Sequence, residues 1–107
     1  GGLEVKHPNE EWIPIEADED TFIINIGDMM ARWTNDRWVS TLHRVVTPNT
    51  SEKKITSRRQ SIAFFQNPNF DAKINCLPTC LEESTTPKYS CIEAGQYLMD
   101  RFHATIK

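Results

Sequence analysis

Glycine is scarce: four in 107 residues, at Gly1, Gly2, Gly27 and Gly95. No glycine-rich loop can therefore cradle a phosphate, and no glycine-flanked serine marks a hydrolase elbow. Basic excess is lacking too. Twelve Lys and Arg stand against fifteen Asp and Glu, a net charge of −3. That argues against a nucleic-acid surface. No apolar run approaches the roughly 20 residues that span a bilayer, so no membrane segment is expected. The first six residues show no basic-then-apolar leader pattern. Cysteines number three. An odd count disfavours a closed disulfide framework and favours a reducing compartment, so a cytoplasmic location is expected. Cys76 and Cys80, with Cys91 nearby, lack a fourth zinc ligand at suitable spacing.

What is present reads as several strands followed by one helix. Leu3-Glu4-Val5 alternates, and Trp12-Ile13-Pro14-Ile15 does so more loosely, with turn residues His7-Pro8-Asn9-Glu10 between them. A hairpin is expected, with Pro14 on an edge or beside a bulge. The acidic stretch 16–20 reads as a solvated loop. Residues 21–26, Thr-Phe-Ile-Ile-Asn-Ile, form the strongest strand signal, apolar enough to be buried on both faces. Asp28 is placed to cap a helical turn over residues 29–33. Residues 37–46 and 59–65 read as extended, and 48–57 as a polar loop. After residue 70 periodicity fades, and a helical pattern returns over 92–106 with Ile92, Tyr97, Leu98, Phe102 and Ile106 on one face. The expected division is 1–70, the strands, and 71–107, a loop-rich extension ending in a helix.

Three histidines are available. His7 falls in a turn and His103 on the polar side of the last helix, both easily solvated. His43 lies in a strand-like run, where it serves either packing or metal binding. A non-haem iron site takes two histidines and a carboxylate on one face. The economical source of two of these is a His-x-Asp pair, and the sequence has none. Arg59 and Ser61 are two apart, so on a strand they share a face. A guanidinium fork plus a hydroxyl receives a carboxylate well. The alternative places Arg59 in solvent near the strand start.

Four ordered blocks carry a resemblance: Phe22-Ile23-Ile24-Asn25-Ile26-Gly27-Asp28, Trp33-Thr34-Asn35-Asp36-Arg37-Trp38, Ser40-Thr41-Leu42-His43-Arg44-Val45 and Arg59-Gln60-Ser61-Ile62-Ala63-Phe64-Phe65. Together with Gly1-Gly2-Leu3-Glu4-Val5, they resemble the C-terminal half of the isopenicillin N synthase-like family of iron(II)- and 2-oxoglutarate-dependent oxygenases. Cys76-Leu77-Pro78-Thr79-Cys80 and Ala94-Gly95-Gln96-Tyr97-Leu98 resemble its iron/ascorbate oxidoreductase branch.

The resemblance implies a mainly β protein: the C-terminal part of a double-stranded β-helix, or jelly roll, with a C-terminal α-helix. It implies a dioxygenase, an oxidoreductase using Fe(II), 2-oxoglutarate and O2 on a small organic substrate, with ascorbate an optional reductant. It makes His43 an iron ligand and gives Arg59 and Ser61 the distal carboxylate of 2-oxoglutarate. The family's His-x-Asp pair precedes the Gly-Gly-Leu strand, so these residues alone are expected to be inactive without an N-terminal part of the parent chain. The competing expectation is a non-catalytic jelly-roll remnant, a binding or oligomerising module that self-associates through exposed sheet edges.

Overall fold

Alternating side chains on either side of a turn sequence make the expected hairpin. The computed structural model describes residues 1–47 and 59–106. Within it β1 (Leu3–Lys6) pairs antiparallel with β2 (Trp12–Pro14). The turn closes through the Glu10 amide to the His7 carbonyl at 2.9 Å and the His7 amide to the Glu11 carbonyl at 2.8 Å. Asn9 braces it by accepting from the Glu11 amide at 3.1 Å and donating to the Glu11 carboxylate at 2.9 Å. After α1 (Asp28–Trp33), strand β3 (His43–Val45) pairs antiparallel with the other side of β1. The sheet order is β2-β1-β3. Pro14, with no N–H to donate, thus sits on an edge strand as expected.

The remaining elements are β4 (Lys73–Ile74), a 3-10 turn (Pro78–Cys80), β5 (Ile92–Glu93) and α2 (Ala94–Thr105). β4 and β5 pair antiparallel, Ile74 opposite Ile92. The chain divides into two units. One comprises Gly1–Asn25 and Thr41–Phe64, the other Ile26–Ser40 and Phe65–Lys107.

The first unit is the three-stranded sheet. Two expected strands do not form in the structure. Residues 21–26 and 59–65 take no regular secondary structure. Phe22 is 95% exposed, Ile24 82%, Ile62 91% and Phe64 85%. The physical reason is general. Apolar, β-branched composition favours an extended backbone, but a strand exists only where a neighbour completes its hydrogen-bond ladder. Neither segment has such a neighbour among the described residues. Of the extended stretch 37–46 only His43–Val45 is paired, and the loop expected at 48–57 lies outside the described residues.

The second unit has a small core of Ile74, Ala94 and Ala31, with the buried Thr34 hydroxyl donating to the Met30 carbonyl at 2.9 Å and accepting from the Trp38 amide at 3.0 Å. Asp28 does not cap α1. It is the first helical residue, after Gly27, and its carboxylate pairs with Arg101 at 3.1 Å. Asn35 and Asp36 take positive φ, 53° and 62°, which ends the helix. α2 begins at Ala94 rather than Ile92, because the β4 ladder takes Ile92 and Glu93. Two of its unpaired N-terminal amides are met by backbone: Ala94 donates to the Ala72 carbonyl at 2.9 Å and Gly95 to Phe70 at 2.8 Å. Glu93, just before the helix, spends its carboxylate on Lys73 at 2.9 Å instead of capping. The Phe70 ring fills the place a side chain on Gly95 would occupy. The apolar face of α2 is narrower than expected, with Tyr97 and Leu98 half-buried and Phe102 and Ile106 exposed.

Arg32 joins the two parts of this unit. Its guanidinium lies 4.9 Å from the Tyr89 ring centroid and 5.2 Å from that of Tyr97, and it donates to the Ser90 carbonyl at 3.2 Å. Tyr89 in turn donates to the Asp36 carboxylate, at 2.8 and 3.0 Å to its two oxygens. That hydrogen bond first, then partial burial, raises the Tyr89 phenol above its ordinary value of 10.0. A raised pKa means that the neutral phenol is the form favoured by folding. Its contribution is complete below the unfolded value and is lost as pH rises through the folded one. Urea unfolding should therefore show a loss of stability above about pH 10. Tyr89→Phe should lower the midpoint at neutral pH and flatten that alkaline limb. A limb unchanged by the substitution would assign it to another group.

Candidate functional site

The three residues singled out by the sequence, His43, Arg59 and Ser61, all lie in the unit that carries the sheet. β3 places His43 directly opposite Val5 of β1, and Val45 opposite Leu3. Val5 also faces Ile13 of β2. Because paired residues share a face, His43 stands on one face with Leu3, Val5, Val45 and Ile13. Glu4, Lys6, Trp12 and Arg44 occupy the other face.

The His43 imidazole is exposed, with Nδ1 3.3 Å from the Thr41 carbonyl oxygen. A carbonyl only accepts, so this contact is a hydrogen bond in the tautomer with the proton on Nδ1. The neutral ring then keeps its lone pair on Nε2. A backbone carbonyl on one ring nitrogen, leaving the other outward, is how metal-binding histidines are commonly oriented.

Arg59 and Ser61 are exposed, two residues apart, on a segment without strand pairing. The Arg59 stem passes Gly2 at the start of β1. A Cβ built on Gly2 would stand 3.9 Å from Arg59 Cδ, 3.8 Å from Val45 Cγ1 and 2.8 Å from the Val46 carbonyl oxygen. Gly2 also has φ of +104° and accepts from the Val46 amide at 2.8 Å. One glycine thus brings the base of β1, the end of the His43 strand and the Arg59 stem together. In the sequence Gly2 is only one residue of the Gly1-to-Val5 block; its positive φ and contacts arise in the folded chain. Gly2→Ala should cost about 1–3 kcal/mol of stability through backbone strain and the carbonyl clash. Guanidinium titration of the purified variant checks this, and a wild-type midpoint would refute it.

The residues present fit iron(II) and 2-oxoglutarate as parts of a larger donor set. His43 presents one nitrogen, and Arg59 with Ser61 presents a charged fork and a hydroxyl. Among the described residues, no three His, Cys, Asp or Glu side chains cluster to hold a metal. His7 and His103 are exposed, at the hairpin turn and in α2, as expected. Cys76, Cys80 and Cys91 are unpaired. Two clefts of the other unit, of about 560 and 610 Å³, hold none of His43, Arg59 or Ser61.

A family model described as the 2OG-Fe(II) oxygenase superfamily matches residues 1–68. The chain is 36% identical to a 2-oxoglutarate-Fe(II) type oxidoreductase, ppzD, of Metarhizium rileyi, covering 98% of this chain and 30% of that protein. Among solved structures it is similar to a putative 2OG-Fe(II) oxygenase family protein from Caulobacter crescentus. The TM-score is 0.85 and the identity 35%, over 97% of this chain and 34% of that one. Neurospora crassa T7H, solved with alpha-KG and 5-formyluracil, aligns with a TM-score of 0.81 and 38% identity, over 98% of this chain and 33% of that one. The chain spans about a third of the length of the relatives it matches.

Proposed function

The chain belongs to the 2OG-Fe(II) oxygenase superfamily, and on that premise we propose that it forms part of a jelly roll that oxidises a small organic substrate with O2. Fe(II) and 2-oxoglutarate are the family's cofactors. When bound, they couple decarboxylation of 2-oxoglutarate to succinate with oxidation of a substrate C–H bond. His43 would supply one imidazole nitrogen to the metal. Thr41 holds its other nitrogen and so sets the ring's direction. Arg59 would hold the far carboxylate of 2-oxoglutarate through its guanidinium, and Ser61 would add a hydroxyl hydrogen bond. The single observation carrying this reading is the His43 ring, exposed on the sheet face with Nδ1 3.3 Å from the Thr41 carbonyl and no hydrogen bond to Nε2 among the described residues.

The division at residue 70, the isopenicillin N synthase-like branch and a cytoplasmic location belong to the same proposal. With no His-x-Asp pair in the 107 residues, they should be inactive by themselves. Succinate release by the intact protein, supplied with iron and 2-oxoglutarate, is the test. Folded, metal-loaded protein that releases none, coupled or uncoupled, overturns the reading.

The exposed side chains of Phe22, Ile24, Ile62 and Phe64 favour a second reading, a non-catalytic module that binds or oligomerises through this apolar surface. Sedimentation of the 107 residues separates the two. Self-association without iron or 2-oxoglutarate affinity in the intact protein favours the module. A cooperative monomer argues against it.

A further inference from the structure

β3 has three residues, all exposed, and it carries His43. So short a strand specifies its own register weakly, and a slip of one residue would turn His43 to the opposite face and bring Arg44 in its place. The means of preventing this is on the face opposite His43. Arg44 lies directly opposite Glu4 on β1, and its Nε donates to Glu4 Oε2 at 2.7 Å. Its guanidinium carbon is also 4.1 Å from the centroid of the Trp12 ring on β2. Since β1 is the middle strand, the Arg44 side chain crosses it and engages all three strands at once.

We propose that Arg44 is a positioning residue for His43: its pairing with Glu4 and its stacking on Trp12 fix the register of β3 and keep the imidazole on the opposite face. Each contact alone is a modest surface interaction. Together they become selective, because only one register puts Arg44 across from Glu4 with Trp12 in reach. A lysine would keep the charge but lose the planar fork that pairs and stacks together. The proposal rests on the reading of His43 as a metal ligand.

Cobalt(II) binding to the intact protein, followed by its visible spectrum, reports the metal site without turnover. Hydrogen exchange at the Lys6 and Val46 amides reports the register separately. They donate to Leu42 and Gly2, each at 2.8 Å, at the two ends of β3. Arg44→Met is expected to weaken cobalt binding about tenfold and to speed exchange at both amides about tenfold. The double exchange Glu4→Arg with Arg44→Glu places the arginine on β1, still diagonal to Trp12, and should restore both to within about threefold of wild type. An arginine that served stability alone would leave the cobalt spectrum of folded Arg44→Met unchanged.

Folded Arg44→Met that binds cobalt as wild type overturns the positioning role. If that variant does not fold, Trp12→Leu removes only the stack and is judged by the same two measurements. His43→Ala is the control. Cobalt binding insensitive to it defeats the metal role, and the positioning role with it. Binding that needs His43 but ignores Arg44 defeats the positioning role alone.

Discussion

Replacing His43 by Ala in the intact protein should abolish iron(II) retention and, with it, succinate release. Changes in groups that merely orient a metal ligand commonly cost 10–100-fold in affinity, so losing the donor itself should cost about 100-fold or more. The fold should barely notice. His43 is exposed, and among the described residues its side chain's only hydrogen bond is the 3.3 Å contact to Thr41. The unfolding midpoint should correspond to a change within about 0.5 kcal/mol, as for other surface positions. Metal content by atomic absorption and urea unfolding on the same sample make the comparison. Iron retained at the wild-type level would remove His43 from the metal site.

Arg59→Ala should weaken 2-oxoglutarate about 10–100-fold while leaving iron affinity intact. Hydrogen bonds to charged groups contribute about 1.5–3 kcal/mol, and each 1.4 kcal/mol is a factor of about ten. Arg59→Lys should recover only part of this, because an ammonium supplies the charge without the bidentate fork. Ser61→Ala removes one hydrogen bond to that carboxylate and no charge, about 1.5 kcal/mol, and so should cost about tenfold, the low end of the Arg59→Ala range. Calorimetric titration of 2-oxoglutarate into the metal-loaded protein orders the three variants. If the order is reversed, or if Arg59→Ala binds 2-oxoglutarate normally, the carboxylate sits elsewhere.

Local signals in the chain translated into structure where the partner was also local. The hairpin of β1 and β2 needs only alternation and the turn His7-Pro8-Asn9-Glu10, all within a dozen residues. α2 satisfies most of its backbone within itself and α1 closes through bonds four residues apart, so their patterns were legible to within a few residues. Residues 21–26 and 59–65 show the limit. Residues 21–26 carry the strongest strand signal and 59–65 read as extended, yet the described residues offer no ladder for either. The two-residue ladder of β4 and β5 shows the converse. It arises where periodicity is absent, because residues 73–74 meet residues 92–93 from nearly twenty positions away.

The site divides in the same way. The proposed site residues, His43, Arg59 and Ser61, are singled out by residue type, spacing and motif order, because donor chemistry resides in side chains. By itself, then, the sequence determined which atoms are available: one imidazole, one guanidinium fork, one hydroxyl. Tertiary structure alone decided how they are presented. It set His43 across from Val5, put Arg44 over Glu4 and Trp12 on the reverse face, and drew the Arg59 stem against Gly2. The reason is that strand faces follow register. Register is a relation between segments some forty residues apart, set by ladder hydrogen bonds and cross-strand contacts that no local pattern encodes.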